Sequence, residues 1–165
     1  MCPQSVKLQA YKGLIRPGLE YACKAWDPYQ LYLQDSLERV QKQAARFIAN
    51  NYSYEPGSMS SILTDLKLPK LSLRRKQNRV ILMYKALFGK ATIPLQDFRR
   101  PHRINRHKHP QTFRQLQNIS EVYKNSFIPS TIVAWNALPT EAFGDQGITS
   151  DHVECITNFI RNYNM

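Results

Sequence analysis

Apolar side chains recur along most of this chain at three- and four-residue intervals, the spacing that gathers them on one face of an α-helix. Val6, Ala10 and Leu14, with the Tyr11 and Ile15 pair, predict a helix over 5–15. Pro17 is expected to stop it, because proline lacks a backbone N–H, and to open a second short helix through Leu19 and Tyr21. Trp26-Asp27-Pro28 reads as a turn, since the residue before a proline avoids the helical region. The clearest helix spans 31–49. Leu33, Leu37, Val40, Ala44, Phe47 and Ile48 form its expected buried stripe, and Asp35 with Arg39 and Glu38 with Lys42 are favourable acid-first pairs. Asn50-Asn51 and Pro56-Gly57 mark a loop. Ser58 or Ser60 should cap a short helix to Leu66, which Leu68-Pro69 ends. A further helix over 72–88 carries Leu73, Gln77, Val80, Ile81, Tyr84, Leu87 and Phe88 on one side, with Gly89 as its stop.

Beyond that glycine the periodicity dissolves. Residues 90–111 are rich in Pro, Arg and His and read as an extended basic loop. Thr112–Leu116 and Val122–Ile128 are short and rich in aromatic and branched side chains, which makes them a candidate β-hairpin over about 111–128. Pro129 opens a short helix carrying Ile132 and Trp135, closed by Leu138-Pro139. Asp151 with Glu154 three residues on resembles a capping box for a last helix through Ile156, Phe159 and Ile160. Trp26 and Trp135, each in an apolar neighbourhood beside a proline turn, are expected core anchors. The expected fold is therefore mainly α, a small multi-helix assembly with an extended basic loop and that hairpin. It divides into a helical region over 1–89 and a second region over 90–165.

Charge sharpens this picture. The 165 residues carry a net charge of +11, and it is localised: 12 of the 23 Lys and Arg, but only Asp97 of the 12 acids, fall between Arg74 and Arg114. The rest of the chain is neutral. So concentrated an excess reads as a footprint for a polyanion more than as a solubility device. Arg74, Arg75, Lys76 and Arg79 occupy the first turns of the 72–88 helix, where the helix dipole disfavours positive charge by about 0.3–1 kcal/mol per group. An anion docked there would remove the conflict. Arg99, Arg100, Arg103, Arg106, Lys108 and Arg114 continue the basic character, with Phe98 and Phe113 beside them as stacking candidates for unpaired bases. Arg39, Lys42 and Arg46 line the face of the 31–49 helix away from its apolar stripe and could track phosphates. The bland alternative for all of these is a solvated basic face.

Other chemistry finds little support. Cys2, Cys23 and Cys155 are odd in number and far apart, which gives no disulfide framework and no zinc-type ligand pairs. His102, His107, His109 and His152 add none either. No metal or other cofactor is expected. The Asp residues are scattered, so two-metal phosphoryl transfer lacks its converging carboxylates. No Gly-rich phosphate loop, nucleophile elbow or His-Glu-x-x-His is present. No stretch reads as a signal peptide, and none approaches the roughly 20 apolar residues that cross a bilayer. A nuclear or cytoplasmic location without membrane contact is expected.

Five blocks, taken in order, resemble one known family. Tyr11-Lys12-Gly13-Leu14-Ile15-Arg16-Pro17-Gly18-Leu19-Glu20-Tyr21-Ala22, with Trp26-Asp27-Pro28, is similar to a stretch downstream of the polymerase palm in reverse transcriptases of non-LTR retrotransposons, the Jockey-like long interspersed elements. Leu37-Glu38-Arg39-Val40-Gln41-Lys42-Gln43-Ala44-Ala45-Arg46-Phe47 continues the resemblance. Leu73-Arg74-Arg75, Met83-Tyr84-Lys85 and the run from Ser126 through Trp135 to Pro139 complete it, over roughly residues 3 to 143. Gly18 and Leu68 depart from it, standing where the family tends to carry bulkier ring residues. The resemblance implies a thumb and post-palm region, helices that grip a template–primer duplex, with RNA, DNA or an RNA–DNA hybrid as partner. The family's palm carboxylates have no counterpart in the matched blocks. The expectation is thus a truncated, catalytically inactive C-terminal piece of an RNA-directed DNA polymerase. The competing expectation is a protein-interaction module, in which apolar surface left over without a palm domain meets a partner or a second copy.

Overall fold

The computed structural model describes residues 2–87, 89–92, 98–103, 109, 111–117 and 120–139. Among them the protein is mainly helical, a small multi-helix assembly without a β-strand. The chain forms two compact units, Met1–Arg75 and Lys76–Met165.

The first unit opens with α1 (Gln4–Ala10), a π turn over Tyr11–Ile15 and α2 (Arg16–Glu20). Pro17 does not stop this run. Within the π turn the Arg16 N–H reaches back five residues to Tyr11 O, and Pro17 then falls in the first turn of α2, where a missing N–H leaves no bond unmade. A left-handed Ala22, φ 49°, separates α2 from α3 (Cys23–Trp26). Asp27 turns extended ahead of Pro28, as the proline requires. α4 (Leu31–Ala49) has the bounds its periodicity predicts and ends on a left-handed Asn50, φ 50°, whose N–H bonds to Arg46 O. α5 (Ser58–Asp65) takes Gly57, φ 86°, as its N-cap in place of the expected serine, because Ser58 Oγ is turned to Ser53 O at 3.2 Å.

α4 buries a different face from the expected one. Gln41, Ala45 and Ile48 are buried, whereas Leu33, Val40 and Phe47 are 37%, 38% and 56% exposed. The cause is a buried polar relay: Tyr11 Oη–H donates to Gln41 Oε1 at 3.0 Å, and Gln41 Nε2 donates to Pro69 O at 2.9 Å. With both ends of its amide engaged, Gln41 occupies the interior at little desolvation cost and turns the apolar edge of the stripe outward. Tyr11, Ala45, Ile48, Ile62, Leu66 and Leu68 make the core of this unit.

α6 (Leu71–Leu87) contains the division between the units. Its C-terminal end closes at Gly89, φ 67°, with Lys90 N–H on Lys85 O. The second unit adds α7 (Glu121–Lys124) and α8 (Phe127–Asn136). Its core is Val80, Ile81, Met83, Tyr84, Phe98, Phe113, Ile132, Trp135 and Leu138. Trp135 is fully buried, donates Nε1–H to Gln111 O at 2.9 Å and is the anchor its neighbourhood predicts. Trp26 is not one. It is 41% exposed, with Nε1–H on Tyr21 O at 2.6 Å.

The expected hairpin over 111–128 does not form. Glu121–Lys124 and Phe127–Asn136 are helical, entered from extended Ser120 and Ser126. Residues 112–117 pair elsewhere: Arg114 N–H bonds to Arg99 O at 2.8 Å. The Asn136 side chain takes both main-chain groups of Phe113, accepting its N–H at 2.9 Å and donating to its O at 2.7 Å. The last helix expected through Ile156, Phe159 and Ile160, with its Asp151 and Glu154, lies outside the described residues.

Candidate nucleic-acid interface

The cations at the start of α6 are already partnered. Arg74 makes a two-point pair with Glu20, through Nε to Oε1 and through Nη2 to Oε2 at 3.0 Å. That hydrogen-bonded carboxylate pushes the Arg74 pKa further up. Arg75 has no exposed surface and donates Nε–H to Asp27 Oδ1 at 2.6 Å. Glu38 Oε1 accepts the Ser72 N–H at 2.9 Å, in the first turn of the helix. The anion that the helix dipole asks for is therefore supplied by carboxylates of the chain itself. Farther along, Arg79 is buried, with Nη1 on Ser130 Oγ at 2.9 Å, and Lys76 is exposed. Of these residues, Lys76 is exposed and Arg74 only partly so.

On α4, Arg39 and Lys42 are exposed. Arg46 shares their face but is half-buried, its guanidinium 4.2 Å from the centre of the Tyr54 ring. That stacking ties Arg46 to the loop after α4 and leaves Arg39 and Lys42 as the outward pair.

The second unit brings more together. The bond from Arg114 N–H to Arg99 O lays two basic segments side by side, and Arg99, Arg100, Arg103 and Arg114 are all exposed. Arg100 is held by Gln111 Oε1 at 2.6 Å, its guanidinium 5.9 Å from the centre of the Phe113 ring. Arg99 and Arg114 line a cleft of about 310 Å³ whose other walls are Gln115, Leu116 and Gln117. Among the described residues no ion pair engages Arg99, Arg103 or Arg114. Phe98 and Phe113 are not stacking platforms. They are 8% and 4% exposed and meet edge to face, with centres 5.8 Å apart, inside the core. The cleft with its two glutamines is the feature that charge counting missed. Three polar side chains around one leucine at 114–117 is its only trace in the sequence. Arg106 and Lys108 lie outside the described residues.

Among the described residues no His, Cys, Asp or Glu side chains gather to hold a metal ion. No helix among them is long and apolar enough to cross a membrane. No family model, curated protein or solved structure matches the chain.

Proposed function

We propose that this protein is a non-catalytic nucleic-acid-binding module of the polymerase-thumb type, akin to the post-palm region of a non-LTR retrotransposon reverse transcriptase. Its working surface is the basic patch of the second unit. One observation carries the reading: Arg99, Arg100, Arg103 and Arg114 are exposed on two segments joined by the Arg114–Arg99 main-chain bond, with no acid of the described residues paired to Arg99, Arg103 or Arg114. Exposed arginines presented as a group suit the bidentate geometry of phosphate oxygens. Arg39 and Lys42 of α4 add exposed charge within the first unit, while Arg74, Arg75 and Arg79 keep structural duties.

The test is titration of labelled single-stranded RNA and of an RNA–DNA hybrid at several salt concentrations. Four arginines on phosphates give a log–log slope of about −3 for a single strand. Arg99→Ala with Arg114→Ala should flatten that slope by roughly 1.4. Affinity indifferent to salt would rule the phosphate surface out.

A second reading draws on the exposed row of Leu33, Val40 and Phe47 along α4. An apolar row of this kind is the ordinary mark of a protein contact, whether with a palm-like domain or a second copy. Association that persists at high salt and ignores added nucleic acid would favour it.

A further inference from the structure

We infer that the cleft lined by Arg99, Arg114, Gln115, Leu116 and Gln117 receives one unpaired nucleotide of a bound strand, an inference that rests on the nucleic-acid reading above. The lining has the three chemistries that such a nucleotide presents. Arg99 and Arg114 face the same opening from adjacent segments, and like charges so placed repel unless an anion lies between them, which a phosphodiester supplies. Gln115 and Gln117 are exposed, neutral amides, each able to donate and accept at once, as the edge of a base requires. Leu116 packs against the core of the second unit and offers an apolar surface to the face of a base. A site for phosphate alone would gain nothing from the amides and the leucine.

Size and shape choose the form of the ligand. At about 310 Å³ the cleft is at the lower end of the roughly 300–1,000 Å³ typical of small-molecule sites, room for a single nucleotide and not for a stack of them. It is also concave. A paired base lies recessed in the duplex, and the deep, narrow major groove of an A-form helix admits no protein side chain to it. A strand end or unpaired base projects, and can enter.

Fluorescence anisotropy on the full chain decides the matter with two probes, a blunt RNA–DNA hybrid and the same hybrid carrying an unpaired overhang. The overhang should bind about tenfold tighter, a difference within the range of one base-edge pairing. Gln115→Ala with Gln117→Ala, at two exposed positions where folding is not at stake, should remove that advantage and leave blunt-hybrid affinity unchanged. If both hybrids bind equally, or the glutamine variant keeps the preference, the nucleotide site is refuted and the phosphate surface survives. If neither hybrid binds, the nucleic-acid reading falls and takes this inference with it.

Discussion

Arg75 is wholly buried, and its partner Asp27 has a side chain 11% exposed, so each neutralises a charge that the interior would otherwise expel. Among the described residues Arg75 Nη1 and Nη2 have no hydrogen-bond partner, which makes the pair an imperfect one. Removing one member strands the other: Asp27→Leu or Arg75→Met alone should destabilise the fold by about 3–5 kcal/mol. The double variant should recover most of that loss, because the stranded charge and the unmet donors leave together. Urea midpoints of the two single variants and the double variant measure it. Equal losses in all three would mean that packing, not charge, sets the cost. Tyr11 gives a second test, through pH. Burial pushes its phenol up from 10.0 to about 12, so the folded chain holds the proton more tightly than the unfolded chain does. Its contribution is therefore fully present below about pH 10 and is lost as pH climbs toward 12. Tyr11→Phe should cost about 1–3 kcal/mol at neutral pH, because Gln41 Oε1 loses its donor. The gap between wild type and variant should then narrow above pH 10, which urea titrations on either side of that value would record.

Among the elements, α6 shows how a helix can begin in a run of positive charge. Glu38 of α4 reaches the Ser72 N–H at 2.9 Å and acts as a cap supplied from another helix. Glu38→Ala should cost about 0.5–2 kcal/mol, the range for losing a side-chain cap, and Glu38→Gln should restore part of it by keeping an acceptor oxygen in place. Thermal unfolding followed by circular dichroism distinguishes them, and an unchanged Glu38→Ala midpoint would sink the capping role. The conflict itself was legible in the sequence, since Arg74, Arg75, Lys76 and Arg79 are visibly misplaced for the dipole. Its resolution was not. Glu20 and Asp27 lie 54 and 48 positions from Arg74 and Arg75, beyond the reach of any local rule. The long helices were legible because their periodicity is local and sustained, as in α4. The face that α4 buries was not, because Gln41 is admitted to the core only through partners at Tyr11 and Pro69. The hairpin expectation failed at a similar point. Val122 and Ile128 have strand-like side chains, but the helix that starts after extended Ser126 and the grip of Asn136 on Phe113 decide the backbone of that region.

At the scale of the whole molecule, both units are basic, with 11 Lys and Arg against six acids in 1–75 and 12 against six in 76–165. Two kinds of association compete for such a chain, and salt separates them. Ionic strength screens the repulsion between positively charged copies and leaves apolar attraction intact, so contact through Leu33, Val40 and Phe47 should strengthen as salt rises. Displacement of counterions from a polyanion runs the other way, and binding through Arg99 and Arg114 should weaken. Sedimentation of the protein without nucleic acid therefore has a definite expectation: if the α4 row is used, a concentration-dependent dimer grows with salt. Val40→Glu with Phe47→Glu then abolishes it and leaves binding through the second unit's patch in place. A chain monomeric at every salt concentration would show that the exposed row needs a partner other than itself. Loss of nucleic-acid affinity in the Val40→Glu, Phe47→Glu variant would instead place the bound strand against α4, and Arg39 and Lys42 would become its principal contacts.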